Sequence, residues 1–118
     1  MEGCTVTILG PEADCVTLIN TFNVDPSCAD ELLELLEKAT AERMRDLPGF
    51  ISANLHLSLD RRRIVNYAQW RSREDFEAMQ RDTEAQVHMR EAAGIAESFD
   101  PVLYDLRYVH ASSANDTR

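Results

Sequence analysis

Basic residues are scarce in this chain: 12 lysines and arginines stand against 21 aspartates and glutamates, a formal net charge of −9. That balance argues against nucleic acid as a partner, because phosphate binding draws on a basic stripe. The one basic run, Arg61 to Arg63, reads as a solvated hairpin tip. Cysteine is also thin. Cys4, Cys15 and Cys28 are odd in number and show no C-x-x-C spacing, so neither a disulfide framework nor a zinc site is indicated and reduced thiols are expected. No run approaches the roughly 18 apolar residues that a membrane-spanning helix needs, and Met1 to Gly10 has no basic segment leading into a long apolar one. The expectation is a soluble, cytoplasmic protein with neither membrane nor nucleic acid as partner.

Motifs for common chemistries are missing too. The chain holds no G-x-G-x-x-G for a dinucleotide, no G-x-x-x-x-G-K-[ST] for a nucleotide phosphate and no H-E-x-x-H for zinc. His56, His88 and His110 lie far apart and form no obvious ligand set. A Cys/His nucleophile pair or a spaced pair of buried carboxylates is equally hard to find, since Glu31, Glu34, Glu37 and Glu42 sit on the outside of a helix. Hydrolysis and metal chemistry lose ground, leaving cofactor-free binding or redox chemistry on a reactive substrate.

What is present fits one domain: 118 residues, 44% hydrophobic and 28% charged. Periodicity and turn signals predict strand 16–24, helix 27–46, strand 50–59, strand 63–72, helix 74–97 with a break near Asp82 and Thr83, and strand 101–110. Residues 1–15 read as an N-terminal arm, 16–110 as the folded domain and 111–118 as a loose tail. The first helix carries an apolar stripe of Ala29, Leu32, Leu33, Leu36, Ala39, Thr40, Met44 and Leu47, and ends at Pro48-Gly49. The second places Ala85, Met89, Ala92, Ala93, Ala96 and Phe99 at helical spacing, with Asp100-Pro101 stopping it. The order β-α-β-β-α-β is the split βαβ, ferredoxin-like arrangement of the α+β class: a four-stranded antiparallel sheet with the helices on one face. The other face would carry Thr17, Ile19, Val65, Tyr67 and some of Tyr104, Leu106 and Tyr108, more apolar surface than a small protein leaves wet, and a homodimer joined sheet to sheet is expected.

The stretch Asn66-Tyr67-Ala68-Gln69-Trp70 says most about function. Strand alternation puts Ile64, Asn66, Ala68 and Trp70 on one face, so a carboxamide and the only tryptophan look into apolar space. Asn20, between Leu18 and Phe22 on the first strand, faces the same way, and the first and third strands of this fold are neighbours. Two amides in such a place either satisfy each other or serve a ligand, and a lone tryptophan on such a face is either core or part of a pocket. His56 depends on register. A hairpin that matches Leu55, Leu57 and Leu59 with the apolar face of the third strand turns His56 away, and a one-residue slip turns it in. Arg90, beside the stripe of the second helix, either bends toward the cavity or stays solvated.

The segment from Val16 to about His110 resembles the antibiotic biosynthesis monooxygenase family of small dimeric α+β barrels. The resemblance is carried by Leu47-Pro48-Gly49-Phe50, by Asn66 to Trp70 followed by Arg71-Ser72-Arg73-Glu74-Asp75-Phe76, and by His88-Met89-Arg90. It is greatest to the members that oxidise anthrones and naphthacenones to quinones with dioxygen alone, using no flavin, haem or metal. The resemblance implies catalytic roles for Asn66, Trp70 and Arg90. It implies a substrate-binding set of Asn20, His56, Phe76, Phe22 and Met89, with Phe76 standing where some relatives have a tyrosine. The implied substrate is an aromatic polyketide with O2 as co-substrate, and the implied cofactor is none. Two other readings stand beside it. One is a non-catalytic dimer that binds an aromatic metabolite or assists polyketide cyclisation; the other is a haem-degrading barrel, which needs an axial histidine that Phe76 to Gln80 does not contain.

Overall fold

Alternating apolar and polar residues drive Val16–Asn23 (β1), Phe50–Leu57 (β2) and Arg63–Trp70 (β3) into strands, and Ser98–Tyr104 (β4) joins them. The computed structural model describes residues 7–9 and 14–112. The sheet order is β2-β3-β1-β4 and every pairing is antiparallel. With β3 between β1 and β2, the connection through the helix Ala29–Glu42 (α1) is the split βαβ crossover that the element order predicts. The second helical stretch is Arg73–Arg81 (α2) and Thr83–Ile95 (α3).

Polar side chains take orphan amides at the heads of α2 and α3 and of the 3-10 turn that leads into α1. Asp25 accepts from Ser27 N to start a short 3-10 turn, Pro26–Cys28, that leads into α1. Ser72 accepts from Asp75 N at the head of α2. Asp82 ends α2 and caps α3 by accepting from Ala85 N, so the break expected near Asp82 and Thr83 is real. Asp82 also receives Nε and Nη2 of Arg43 at 2.9 and 2.6 Å, tying the end of α1 to the α2–α3 junction. Those hydrogen bonds hold its carboxyl at about 2, well below the ordinary aspartate range.

The core lies between the sheet and the helices in two contiguous clusters. One gathers Leu18, Met44, Ala68, Trp70, Phe76, Met79 and Ala85; the other gathers Phe22, Val24, Ala29, Leu32, Leu36, Ile64 and Ala92. The apolar stripe read from α1 is the face that it buries.

Four details depart from the sequence reading. The helix predicted over 27–46 runs as α1 flanked by 3-10 turns at Pro26–Cys28 and Met44–Asp46. The second helix stops at Ile95, so Phe99 belongs to β4 and not to a helical stripe, and β4 covers 98–104 in place of 101–110. Pro101 does not stop that strand, because β4 is an edge strand, where a proline is tolerated. Leu59, expected on the apolar face, is fully exposed in the β2–β3 hairpin. That hairpin closes with Ser58 N donating to Arg63 O around Leu59 to Arg62, an even-length loop, and Ser58 and Asp60 hold its tip while Arg61 takes a left-handed φ of 64°.

On the outer face Thr17 and Gln69 are buried, Ile19, Val65 and Tyr67 are half-buried, and Val102 and Tyr104 are exposed. Part of the cover is Thr7 to Leu9, whose Ile8 carbonyl accepts from Gln69. The remainder of the expected arm before Asp14, and the tail beyond Ser112, lie outside the described residues. Among the described residues no helix is long and apolar enough to cross a membrane, and no cluster of three or more potential ligands could hold a metal ion.

Candidate active site

Small residues make room between the sheet and the helices. Ala53 and Ala68 stand opposite each other on β2 and β3, and Ala39 and Ala93 face them from α1 and α3. The result is a cavity of about 370 Å³, inside the usual range for a small-molecule site. Leu18, Phe22, Leu36, Met44, Phe50, Phe76, Met79 and Met89 supply apolar walls. The lining residues that are also exposed, namely Gln80, Gln86, Arg90 and Ala93 from the helices and Phe99 and Pro101 from β4, mark the mouth.

Polar groups reach this space from the sheet. Asn20 and Asn66 are direct cross-strand partners on β1 and β3, and both line the cavity. Their Oδ1 atoms are buried without a hydrogen-bond partner, so the two amides do not satisfy each other. A buried acceptor left unpaired costs about 1–3 kcal/mol, and two side by side point to a ligand that completes them. Four residues along β3, about 13 Å of strand, stands Trp70. Its indole is buried and meets Phe50 edge-on at a centroid distance of 5.5 Å and Phe76 at 6.4 Å. Trp70 is therefore core and cavity wall at once.

Arg90 stands at the mouth, and among the described residues it makes no ion pair. His88, two residues earlier, lies off the cavity lining with its Nδ1 buried and unpartnered, 3.8 Å from Glu91 Oε1. Of the residues predicted for the site, Asn20, Phe22, Asn66, Trp70, Phe76, Met89 and Arg90 all line the one cavity. His56 does not. It pairs with Val65 in the register that matches Leu55 with Asn66 and Leu57 with Ile64, so its ring is exposed on the outer face, near the Asn54 carbonyl. The even-length hairpin decides this, and His56 is corrected from a substrate contact to a surface side chain.

Several lining residues escaped the sequence reading. Phe50 enters because β2 carries a bulge: Phe50 pairs with Trp70 and Ser52 with Gln69, leaving Ile51 as the extra residue. Gln80 and Gln86 look like solvated helix positions in the sequence, and Phe99 was expected on a helix.

The chain matches the family model described as "Antibiotic biosynthesis monooxygenase" over residues 15–91. It is 46% identical over 80 residues, 68% of this chain and 71% of the relative, to tetracenomycin-F1 monooxygenase of Streptomyces glaucescens. Among solved structures it is similar to a monooxygenase from the gene ActVA-Orf6 of Streptomyces coelicolor in complex with nanaomycin D. That pair is 30% identical with a TM-score of 0.71, over 87% of this chain and 96% of the other. SnoaB, a cofactor-independent oxygenase from Streptomyces nogalater, shares the fold at 23% identity and a TM-score of 0.70, over 82% of this chain and 97% of its own. With the family model spanning more than half of the chain, and a close relative covering two thirds of it, the protein belongs to the antibiotic biosynthesis monooxygenase family.

Proposed function

We propose that the protein is a cofactor-independent monooxygenase that converts an anthrone-like aromatic polyketide to a quinone with O2, working as a homodimer. The observation that carries this reading is the opposed pair of unpartnered amides, Asn20 and Asn66, on the floor of an apolar cavity that also holds Trp70. A phenol-rich planar ligand answers each feature. Its hydroxyls donate to the orphaned Oδ1 atoms, the amide Nδ2 groups donate to its enolate oxygen, and its rings fill the apolar length between Asn66 and Trp70. The relatives named for tetracenomycin F1 and for nanaomycin D as bound ligand support a polyketide substrate.

The substrate supplies the difficult chemistry. Its acidic methylene loses a proton to give a delocalised carbanion, which passes one electron to O2. The resulting radical pair combines into a carbon-bound peroxide. Protonation of the distal oxygen and loss of the remaining hydrogen on that carbon break the O–O bond, so CH2 and O2 become C=O and water. Asn66 and Asn20 stabilise the enolate and the nascent peroxide, and the Trp70 indole N–H is a further donor. Arg90 at the mouth lowers the substrate's pKa by holding its anion. Phe22, Phe76 and Met89 hold the rings and keep water out.

The test is oxygen consumption by purified, metal-stripped protein mixed with a model anthrone such as emodinanthrone, followed as quinone absorbance over the uncatalysed background. Quinone formation that survives chelator and falls in Trp70→Phe supports the reading. A bound anthrone with no acceleration favours the non-catalytic binding or cyclisation role instead.

A further inference from the structure

The outer face of the sheet carries a hydrogen-bonded chain that the proposed chemistry does not use. Thr7 Oγ1 donates to Asn54 Oδ1 at 2.8 Å, and Asn54 Nδ2 donates to the Tyr67 carbonyl at 2.8 Å and to Ser52 Oγ at 3.4 Å. Ser52 Oγ donates to Gln69 Oε1 at 2.9 Å, and Gln69 Nε2 donates to the Ile8 carbonyl at 2.8 Å. Both ends of the chain thus close on the N-terminal segment Thr7–Leu9. Gln69 is only 3% exposed although it points away from the core. Unlike Asn20 and Asn66 on the inner face, Asn54 and Gln69 have both ends of their amides engaged.

This chain sits beside the β2 bulge. The Ser52–Gln69 bond pins the first pair after the extra residue, Ile51, and the next pair is Phe50 with Trp70. Without the bulge, Ile51 would stand opposite Trp70 and the edge-on contact of Phe50 with the indole would be lost. We propose that the N-terminal segment is a strap that positions Trp70 from the far side of the sheet. Thr7 and Ile8 hold Asn54 and Gln69, these hold the bulge, and the bulge holds Phe50 against the indole. Thr7 and Gln69 are positioning residues that touch no substrate. The effect on turnover rests on the reading of Trp70 as an active-site group; the effect on the indole itself does not.

Full-length Thr7→Val, Thr7→Ser and Gln69→Met variants test the strap, read by tryptophan emission and by anthrone turnover. Trp70 is the only tryptophan, so emission reports on this one site. Thr7→Val is expected to shift the emission, raise quenching by acrylamide and lower kcat about fivefold, the factor that one ordinary hydrogen bond corresponds to. KM should change little, Gln69→Met should act in the same direction, and Thr7→Ser should restore both readouts. Unchanged emission and kcat in Thr7→Val, with only the melting temperature lowered, overturns the proposal. Should Gln69→Met fail to fold, the Thr7 pair decides alone. If the wild-type protein turns over no anthrone, the monooxygenase reading fails while the emission of the Thr7 pair still decides the strap.

Discussion

At the residue scale, the two orphaned amides set their proposed role against stability. Asn20 is 8% exposed, and its Oδ1 and that of Asn66 have no partner, yet both stand among Leu18, Phe22 and Ala68, where apolar side chains would pack. Asn66→Leu is therefore expected to raise the melting temperature, by removing a penalty of about 1–3 kcal/mol, while quinone formation falls by about 10²–10³-fold. Calorimetry and the anthrone assay on one preparation check both halves. A loss of stability with activity kept would show that the amide is structural. Gly49 gives a second prediction at this scale. Its φ of +84° is a left-handed conformation, and a Cβ there would run into the Asp75 side chain. Gly49→Ala should destabilise the protein by more than about 1 kcal/mol in urea unfolding. The same strain would disturb the Arg71 N to Gly49 O bond beside Trp70.

At the scale of elements, Asp82 joins three helices. It ends α2, caps α3 and pairs in two-pronged fashion with Arg43 just past α1. Its carboxyl has a lower pKa in the folded chain, about 2, than the ordinary 3.8 it regains on unfolding. The stability it contributes is therefore complete above about pH 4 and is lost as the pH falls toward 2. Asp25 and Asp60, each lowered first by a serine hydroxyl, act in the same direction. Acid unfolding of Asp82→Asn should be flatter over that window than wild type, and its melting temperature lower at pH 7. Asp82→Ala, which also removes the cap on Ala85 N, should lower it further. Equal melting temperatures for the two variants would leave the cap without weight.

At the scale of the whole molecule, the strap covers only part of the outer face. Val102 and Tyr104, at 37% and 48% exposed, flank half-buried Ile19 on the β1–β4 side. The proposed homodimer buries this region, so light scattering is expected to give twice the 13.4 kDa chain mass. Val102→Asp should shift the protein toward monomer, and a wild-type monomer at micromolar concentration would sink the dimer.

The element order was legible in the sequence because strands and helices announce themselves by periods of 2 and 3.6 and by stops such as Pro48-Gly49. The inward set Asn20, Asn66 and Trp70 followed from the same alternation. The acidic balance and the family resemblance were legible too, the first as a count of charges and the second in the motifs from Leu47 to Phe50, Asn66 to Phe76 and His88 to Arg90. Only tertiary structure could decide that the two amides leave each other unpaired, that His56 points outward and that Phe50 packs on Trp70. Each depends on register between strands far apart in the chain, where one bulge or one hairpin residue exchanges the faces of a strand. Pro101 and Phe99 belong to the same class, because an edge strand tolerates what a central strand or a helix refuses. The strap is the furthest from sequence: Thr7 and Gln69 lie 62 residues apart, and only the folded sheet brings both into one hydrogen-bonded chain.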